Sequence, residues 1–446
     1  MTTMAGLRFW ELTFDADGDT DAGARDSFLT EVRGAGITDL VVFSHGWNND
    51  HRIATSLYEA FFGLLAGQLP AARRDSVGLV GVFWPSQRWS DEPIPDFAPA
   101  PAAGGAGDAA AAVPRQTAVA GEPALDKETL AQLQELFPAA ADQLAEMAQL
   151  LGSPPTDGAL TRFHDLLAEF STRAGAGGDD GEGTGPVQPP MLADDARTLF
   201  ERYRDALSSV GVTFQDGDDG GAAGLGDALH GIWQGAKEAL RQATYWQMKN
   251  RAGVVGKAGL GPVLGRLPVR VHLVGHSFGA RLVSYALAGL PDGPSPVRSV
   301  TLLQGAFSHF AFARPLPFDA GRNGALAGML ARVDGPLTAC FSSHDLAVGR
   351  IYPLASLAAR DDSAGAQDAL FRWGGMGADG AQGVQALLDP IRSAAPGTTY
   401  RFGAGKALNV DASEVVRAGG PPSGAHSDIV HAELTWLVLL AAGLTT

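Results

Sequence analysis

Val274–Arg281 reads VGHSFGAR, and its serine stands between two glycines. The apolar, β-branched run VRVHLV (Val269–Val274) precedes it, and the helically spaced ARLVSYALAGL (Ala280–Leu290) follows. Gly275-His276-Ser277-Phe278-Gly279 is therefore a G-x-S-x-G sequence at a strand-to-helix turn. A serine in such a turn is held in a strained backbone conformation with its hydroxyl pushed out above the sheet. The glycines are required where a Cβ would strike the adjoining strand or helix. Five residues alone suit an ordinary glycine-rich turn with a helix-capping serine equally well, so the rest of the chain must decide.

With 446 residues, 45% of them hydrophobic, the chain can bury a large core and is long for one simple domain. A formal net charge of −16 disfavours nucleic acid and anionic membrane as partners. The longest apolar run near the end, LTWLVLLAAGL (Leu434–Leu444), is too short to span a bilayer, so no integral membrane segment is expected. MTTMAGLRFWELTFDADGD lacks the basic start, apolar stretch and cleavage site of a secretory signal, and a cytoplasmic protein is expected. The single cysteine, Cys340 in the apolar run LTACF, excludes an internal disulfide framework and any multi-cysteine metal site. It reads as a buried small hydrophobe.

Working outward from the serine, apolar runs alternate with helical patterns. Strands are expected at Leu7–Phe14, Asp39–Trp47, Val77–Pro85, Val269–Ser277, Val297–Ala306, Gly335–Asp345 and Thr398–Ser413. Helices are expected at Ile53–Leu69 and from about Ile429. Strands apolar on both faces and separated by helices predict an α/β fold, a mostly parallel twisted sheet with helices on both faces. Chemistry in such sheets gathers at the carboxyl ends of the strands. Four ends carry suggestive polar residues: Ser44-His45-Gly46-Trp47, Ser277, His344-Asp345, and the loop holding His426.

The pattern breaks between Pro85 and Val269, where no convincing strand is found. Ala98–Gly121 and Ala174–Pro190 are too poor in large apolar residues to fold alone and read as flexible linkers. Around them run apolar stripes at helical spacing: Leu130, Leu133, Leu136, Phe137, Leu144, Met147 and Leu151; then Leu160, Phe163, Leu166, Leu167 and Phe170; then Leu199, Phe200, Tyr203, Leu207 and Val210. A core of 1–86 and 252–446 is thus interrupted, between two neighbouring strands, by a large helical insertion at 87–251.

An acyl-transfer serine needs a base for its proton, a carboxylate to orient that base, and donors for the oxyanion. Of ten histidines, only His426 and His431 follow the last expected strand. The acid should sit at a strand end between serine and histidine, as Asp345 does. The order Ser277, Asp345, His426 leaves room in each interval for a helix and a strand. The backbone N–H groups of Phe278 and Trp47 are the expected oxyanion donors.

On these residues the sequence resembles the α/β-hydrolases. SHGWNN is similar to the oxyanion loop after the third strand, GHSFGA to the nucleophile elbow after the fifth, and SSHD to the acid turn after the seventh. GAHSDIVHAEL is similar to the histidine loop before the last helix. The resemblance covers Leu7–Phe83 and Val269–Leu444. It does not cover the insertion, which departs from the commonest cap site, between the sixth and seventh strands.

The resemblance implies an α/β-hydrolase fold and a serine hydrolase without cofactor or metal. Ser277 would be nucleophile, His426 base and acid in turn, Asp345 their orienting carboxylate, and Trp47 and Phe278 the oxyanion donors. The expected substrate is a small-molecule carboxylic ester, hydrophobic or lipid-like, with the insertion as a lid. An amidase, peptidase or thioesterase would use the same residues. A catalytically silent binding protein of this fold is the alternative from another class, and oligomeric state is not legible.

Each assignment has a competitor. His276 reads as packed beneath the site and His45 as a buttress of the oxyanion loop. Asp411, in NVDAS, is the rival acid, more simply a turn residue. His426, Asp428 and His431 form an H-x-D-x-x-H pattern that could be drawn as a metal set, with no further ligands in support. Trp47, Trp84 and Phe278 suit an acyl pocket or core equally.

Overall fold

Alternation within each strand decides the layering. In DLVVFS, Leu40 and Val42 join the hydrophobic core on one face of the sheet while Val41 and Phe43 join the core on the other. A strand of this kind is stable only with both faces covered. In the computed structural model, residues 2–86, 89, 97, 118–119, 122–174, 192, 194–214, 225–351, 372 and 374–446 are described.

In chain order the strands are β1 (Thr2–Met4), β2 (Leu7–Thr13), β3 (Asp39–Ser44), β4 (Val77–Phe83), β5 (Ala118–Val119), β6 (Val212–Thr213), β7 (Arg270–His276), β8 (Val297–Leu303), β9 (Leu337–Phe341), β10 (Leu387–Pro390) and β11 (Ala407–Asp411). Nine of them form one sheet in the order β1-β2-β4-β3-β7-β8-β9-β11-β10, and β5 pairs with β6 apart from it. Every pairing in the large sheet is parallel except β1 with β2. The protein is therefore α/β with a mostly parallel sheet.

The helices are α1 (Ala22–Gly34), α2 (His51–Gln68), α3 (Lys127–Leu136), α4 (Ala141–Leu151), α5 (Asp157–Arg173), α6 (Ala196–Ser209), α7 (Leu225–Val254), α8 (Gly261–Leu264), α9 (Phe278–Gly289), α10 (Met376–Asp379) and α11 (Ala432–Ala442). One face of the sheet is covered by α1 and α9, the other by α2 and α11. Among the described residues no helix is long and apolar enough to cross a membrane.

Several expectations are corrected. The insertion joins β4 to β7, which are not neighbours: they flank β3 on its two sides. The first apolar stripe is two helices, because Pro138 cannot continue α3 and a 3-10 turn at Pro138–Ala140 redirects the chain into α4. A strand expected over Thr398–Ser413 shortens to Ala407–Asp411, and the edge strand β10 and the β5–β6 pair were not anticipated. The boundary at 251/252 falls inside α7, and the core formed by α3–α7 is continuous with the sheet core beneath α9. Apart from Ala118–Val119 and Ala174, the two linkers lie outside the described residues. Cys340 is fully buried on β9, and burial pushes its thiol up to about 12.

Candidate active site

β7 ends at His276 and α9 begins at Phe278, leaving Ser277 alone to turn the chain. It does so at φ 56, ψ −121, a left-handed conformation that costs a non-glycine residue on the order of 1–3 kcal/mol. The glycines around it show what holds the strain. A Cβ on Gly275 would lie 2.4 Å from the Gly279 carbonyl oxygen, and one on Gly279 would lie 2.0 Å from that of Ser44. Only glycines let α9 close so tightly on β7 and on the end of β3.

The turn aims the Ser277 hydroxyl at His426, which it meets at 2.8 Å on Nε2. The other ring nitrogen of His426, Nδ1, donates to Asp345 Oδ2 at 2.8 Å. Asp345 is buried just past β9, and its second oxygen accepts the Val348 N–H at 3.0 Å. An isolated bridge between Asp345 and Gly424 ties the loop of Asp345 to the loop of His426. His276 Nε2 donates to the His426 carbonyl at 2.8 Å, supporting the same loop from below. Burial drives the His276 pKa down to about 3, so it is a neutral strut and no base.

The loop after β3 is built with comparable care. Gly46 packs onto the serine: a Cβ there would lie 2.6 Å from Ser277 Cβ. Its carbonyl accepts from His45 Nδ1 at 2.8 Å, Asn49 Nδ2 at 3.2 Å and Ser86 Oγ at 3.2 Å. A trans peptide points its N–H opposite its carbonyl, so these three donors fix the Trp47 N–H away from themselves. Neither the Trp47 N–H nor the Phe278 N–H has a protein acceptor among the described residues. His45 is neutral, its pKa lowered to about 4 by burial, and its ring stacks on Trp84 at 5.6 Å.

A cavity of about 350 Å³ opens over the serine, bounded by Trp47, Ser277, His426, Tyr245, Leu207 and Val348 among others. Tyr245 and Leu207 come from the insertion, so this wall is not part of the sheet scaffold. Trp47 lines the cavity, whereas Phe278 and Trp84 are buried away from it.

The remaining candidates turn elsewhere. Asp411 accepts from Ser413 N at 3.0 Å and Ser413 Oγ at 2.6 Å, closing a turn after β11. His431 stands at the N-terminal boundary of α11 without a side-chain capping bond and meets Asp428 Oδ1 at 2.8 Å, while Asp428 Oδ2 accepts the Arg417 and Ala418 N–H groups, each at 2.8 Å. Burial alone would raise the Asp428 pKa, but these donors hold it below the usual carboxylate value. His426 thus faces Ser277 while Asp428 and His431 face each other, and the three do not converge. Among the described residues no group of three or more His, Cys, Asp or Glu side chains is placed to hold a metal ion.

Sequence reasoning missed Asn49, Ser86 and Tyr245. The first two act through bonds to a backbone carbonyl; the third arrives from a helix far away in the chain. The arrangement can polarise the Ser277 hydroxyl, accept its proton on His426 and shelter the resulting charge pair beside Asp345. A comparison with protein-family models, curated proteins and solved structures found no match to this chain.

Proposed function

We propose that the protein is a serine hydrolase of the α/β-hydrolase fold that cleaves carboxylic esters through an acyl-enzyme on Ser277. The observation that carries this reading is the unbroken path Ser277–His426–Asp345, two hydrogen bonds of 2.8 Å each, with the serine at positive φ beneath a cavity. The sheet supports it too. Counted along the chain, the oxyanion loop, the serine and the acid follow the third, fifth and seventh strands of the large sheet.

In this reading His426 takes the hydroxyl proton as Ser277 attacks the ester carbonyl. The Trp47 and Phe278 N–H groups bind the oxyanion, and His426 then protonates the leaving alkoxide. Water repeats the sequence to release the acid. Asp345 stabilises the imidazolium formed in both halves. An amide or thioester would follow the same steps, and nothing about the geometry favours either over an ester. The test is mass-spectrometric detection of a fluorophosphonate adduct on Ser277, with turnover of p-nitrophenyl esters from acetate to palmitate. An unmodified serine and no turnover of any ester would overturn the reading.

A further inference from the structure

The insertion carries more than a cover for the cavity. α7 presents Tyr245 to both residues that bear the proposed oxyanion donors. Its ring meets the Trp47 indole edge-to-face at 5.4 Å and the Phe278 ring at 4.5 Å, and Trp47 and Phe278 approach each other at 6.3 Å. One aromatic side chain is thus wedged between the loop after β3 and the first residue of α9. Pairs of this kind are directional and resist sliding.

A second strut runs from one turn earlier on α7. The Arg241 guanidinium lies 4.8 Å from the Trp89 ring, and the Trp89 backbone N–H donates to Asn48 Oδ1 at 2.6 Å. Asn48 follows Trp47 directly and sits at φ 63, so this bond holds the loop in a left-handed conformation.

Beyond Tyr245, α7 and its continuation are pressed against α9. Arg281 Nε donates to the Lys249 carbonyl at 2.8 Å. A Cβ on Gly256 would fall 2.1 Å from the Leu282 carbonyl oxygen, and one on Gly289 2.0 Å from that of Lys257. α7 therefore cannot shift relative to the nucleophile helix without breaking backbone contact.

We propose that Tyr245 is a positioning residue that sets the spacing of the Trp47 and Phe278 N–H groups, making α7 of the insertion a working part of the oxyanion site. The proposal rests on the serine-hydrolase reading. It differs from a lid, which would govern entry of substrate: Tyr245 also borders the cavity, but its contacts with Trp47 and Phe278 act on the transition state more than on ground-state binding.

The experiment compares full-length wild type with Tyr245→Ala and Tyr245→Phe on one p-nitrophenyl ester, alongside inhibition by phenylboronic acid. The boronate forms a tetrahedral adduct that needs both the serine and the oxyanion donors. Displacing the donors in Tyr245→Ala should lower kcat about 100-fold and weaken boronate in parallel, with KM changed less than about threefold. Tyr245→Phe, which keeps the ring, should retain at least about half of wild-type kcat. The proposal is overturned if Tyr245→Ala keeps kcat within about threefold of wild type. It is equally overturned if boronate affinity stays while kcat falls, or if Tyr245→Phe is as poor as Tyr245→Ala. Should Tyr245→Ala not fold, Tyr245→Leu fills the volume without the ring and faces the same thresholds. Fluorophosphonate labelling of wild-type Ser277 is run beside these assays. Its failure strikes the hydrolase reading itself, whereas labelling with an indifferent Tyr245→Ala strikes only this proposal.

Discussion

Two serine–histidine–aspartate chains of hydrogen bonds lie on the same sheet, at opposite ends of its strands. At the carboxyl ends of the strands, Ser277 meets His426 at 2.8 Å and His426 meets Asp345 at 2.8 Å. Near the amino ends, Ser299 on β8 meets His272 on β7 at 2.9 Å, and His272 meets Asp39 on β3 at 3.0 Å. Residue types and distances barely differ; the surroundings do. Ser299 lies inside a strand, and none of the second set borders the cavity. Asp39 already holds Arg270 through two bonds of 2.7 and 2.6 Å and Thr38 through one of 2.7 Å. Ser277, itself buried, has an elbow that turns it towards the cavity above and, beside it, two N–H groups without a protein acceptor among the described residues. A hydrogen-bonded triad does not by itself distinguish the two serines; the surroundings favour Ser277 for the proposed chemistry, and the second set reads as a latch across β3, β7 and β8.

The largest effect should separate the two serines. Ser277→Ala is expected to lower kcat on a p-nitrophenyl ester by about 10⁴–10⁶ while leaving stability near wild type. Ser299→Ala should leave kcat within about twofold and cost ~1 kcal/mol of stability, the worth of one buried hydrogen bond. Steady-state kinetics beside urea denaturation of both variants checks this. Wild-type turnover in Ser277→Ala would break the comparison outright.

The two carboxylates should divide in the same way. Asp345→Asn leaves an amide that cannot stabilise the imidazolium, and kcat should fall about 10⁴-fold. Asp39→Asn should leave kcat near wild type. Its cost appears in folding instead, about 3 kcal/mol, because Arg270 and His272 lose the charge that both contact. A urea midpoint unchanged in Asp39→Asn would show that the latch contributes nothing.

The contrast also explains what was legible in the sequence. Ser277 and Asp345 could be placed because each stands just past an apolar run, where a polar residue is conspicuous, and His426 because it lies between the last expected strand and the last expected helix. Asp39, His272 and Ser299 sit within such runs, and VRVHLV gives no hint that its histidine pairs across the sheet. β10 escaped because LLDP is only four residues long and leaves Leu387 and Leu388 exposed, so no alternation marks it. Gly403 and Gly405 lie within the long strand expected before Asp411, and glycine weakens a strand. Asn49, Ser86 and Tyr245 reach the loop after β3 by contacts that no local spacing encodes.

Acid should act on the two regions through different groups. The folded pKa values of His45 and His276 lie at about 4 and 3, against 6.5 for a free histidine, mainly because burial disfavours the charged ring. The unfolded chain therefore binds the extra protons first. Stability is full above about pH 6.5 and falls as pH drops towards those values, by ~1.4 kcal/mol per pH unit for each histidine. His272 is lowered by burial too and adds in the same direction. Burial would raise the Asp39 pKa, but His272, Arg270 and Thr38 hold it well below the usual carboxylate range. Its contribution is present above the unfolded carboxylate value and is lost only as pH falls towards the folded one. Urea denaturation at pH 7, 5.5 and 4 should thus show weakening that begins with the buried histidines of both regions. His276→Gln should flatten the slope; a slope identical to wild type would mean that His276 is not held neutral.

The smallest expected effect concerns a third aspartate at a strand end. Asp411 closes β11 as Asp345 follows β9, and it too holds a serine, Ser413, through the backbone N–H and the hydroxyl. No histidine stands between Asp411 and Ser413, so a proton leaving that hydroxyl has no base to accept it. An asparagine at 411 would keep the oxygen that both donors use and lose only charge at a half-exposed position. Asp411→Asn should therefore change kcat by less than about twofold and stability by less than ~0.5 kcal/mol. Kinetics and thermal melting of the variant decide the matter. A loss approaching that of Asp345→Asn would mean that the carboxylate orienting His426 during turnover comes from β11, and that the chain Ser277–His426–Asp345 is rearranged before it works.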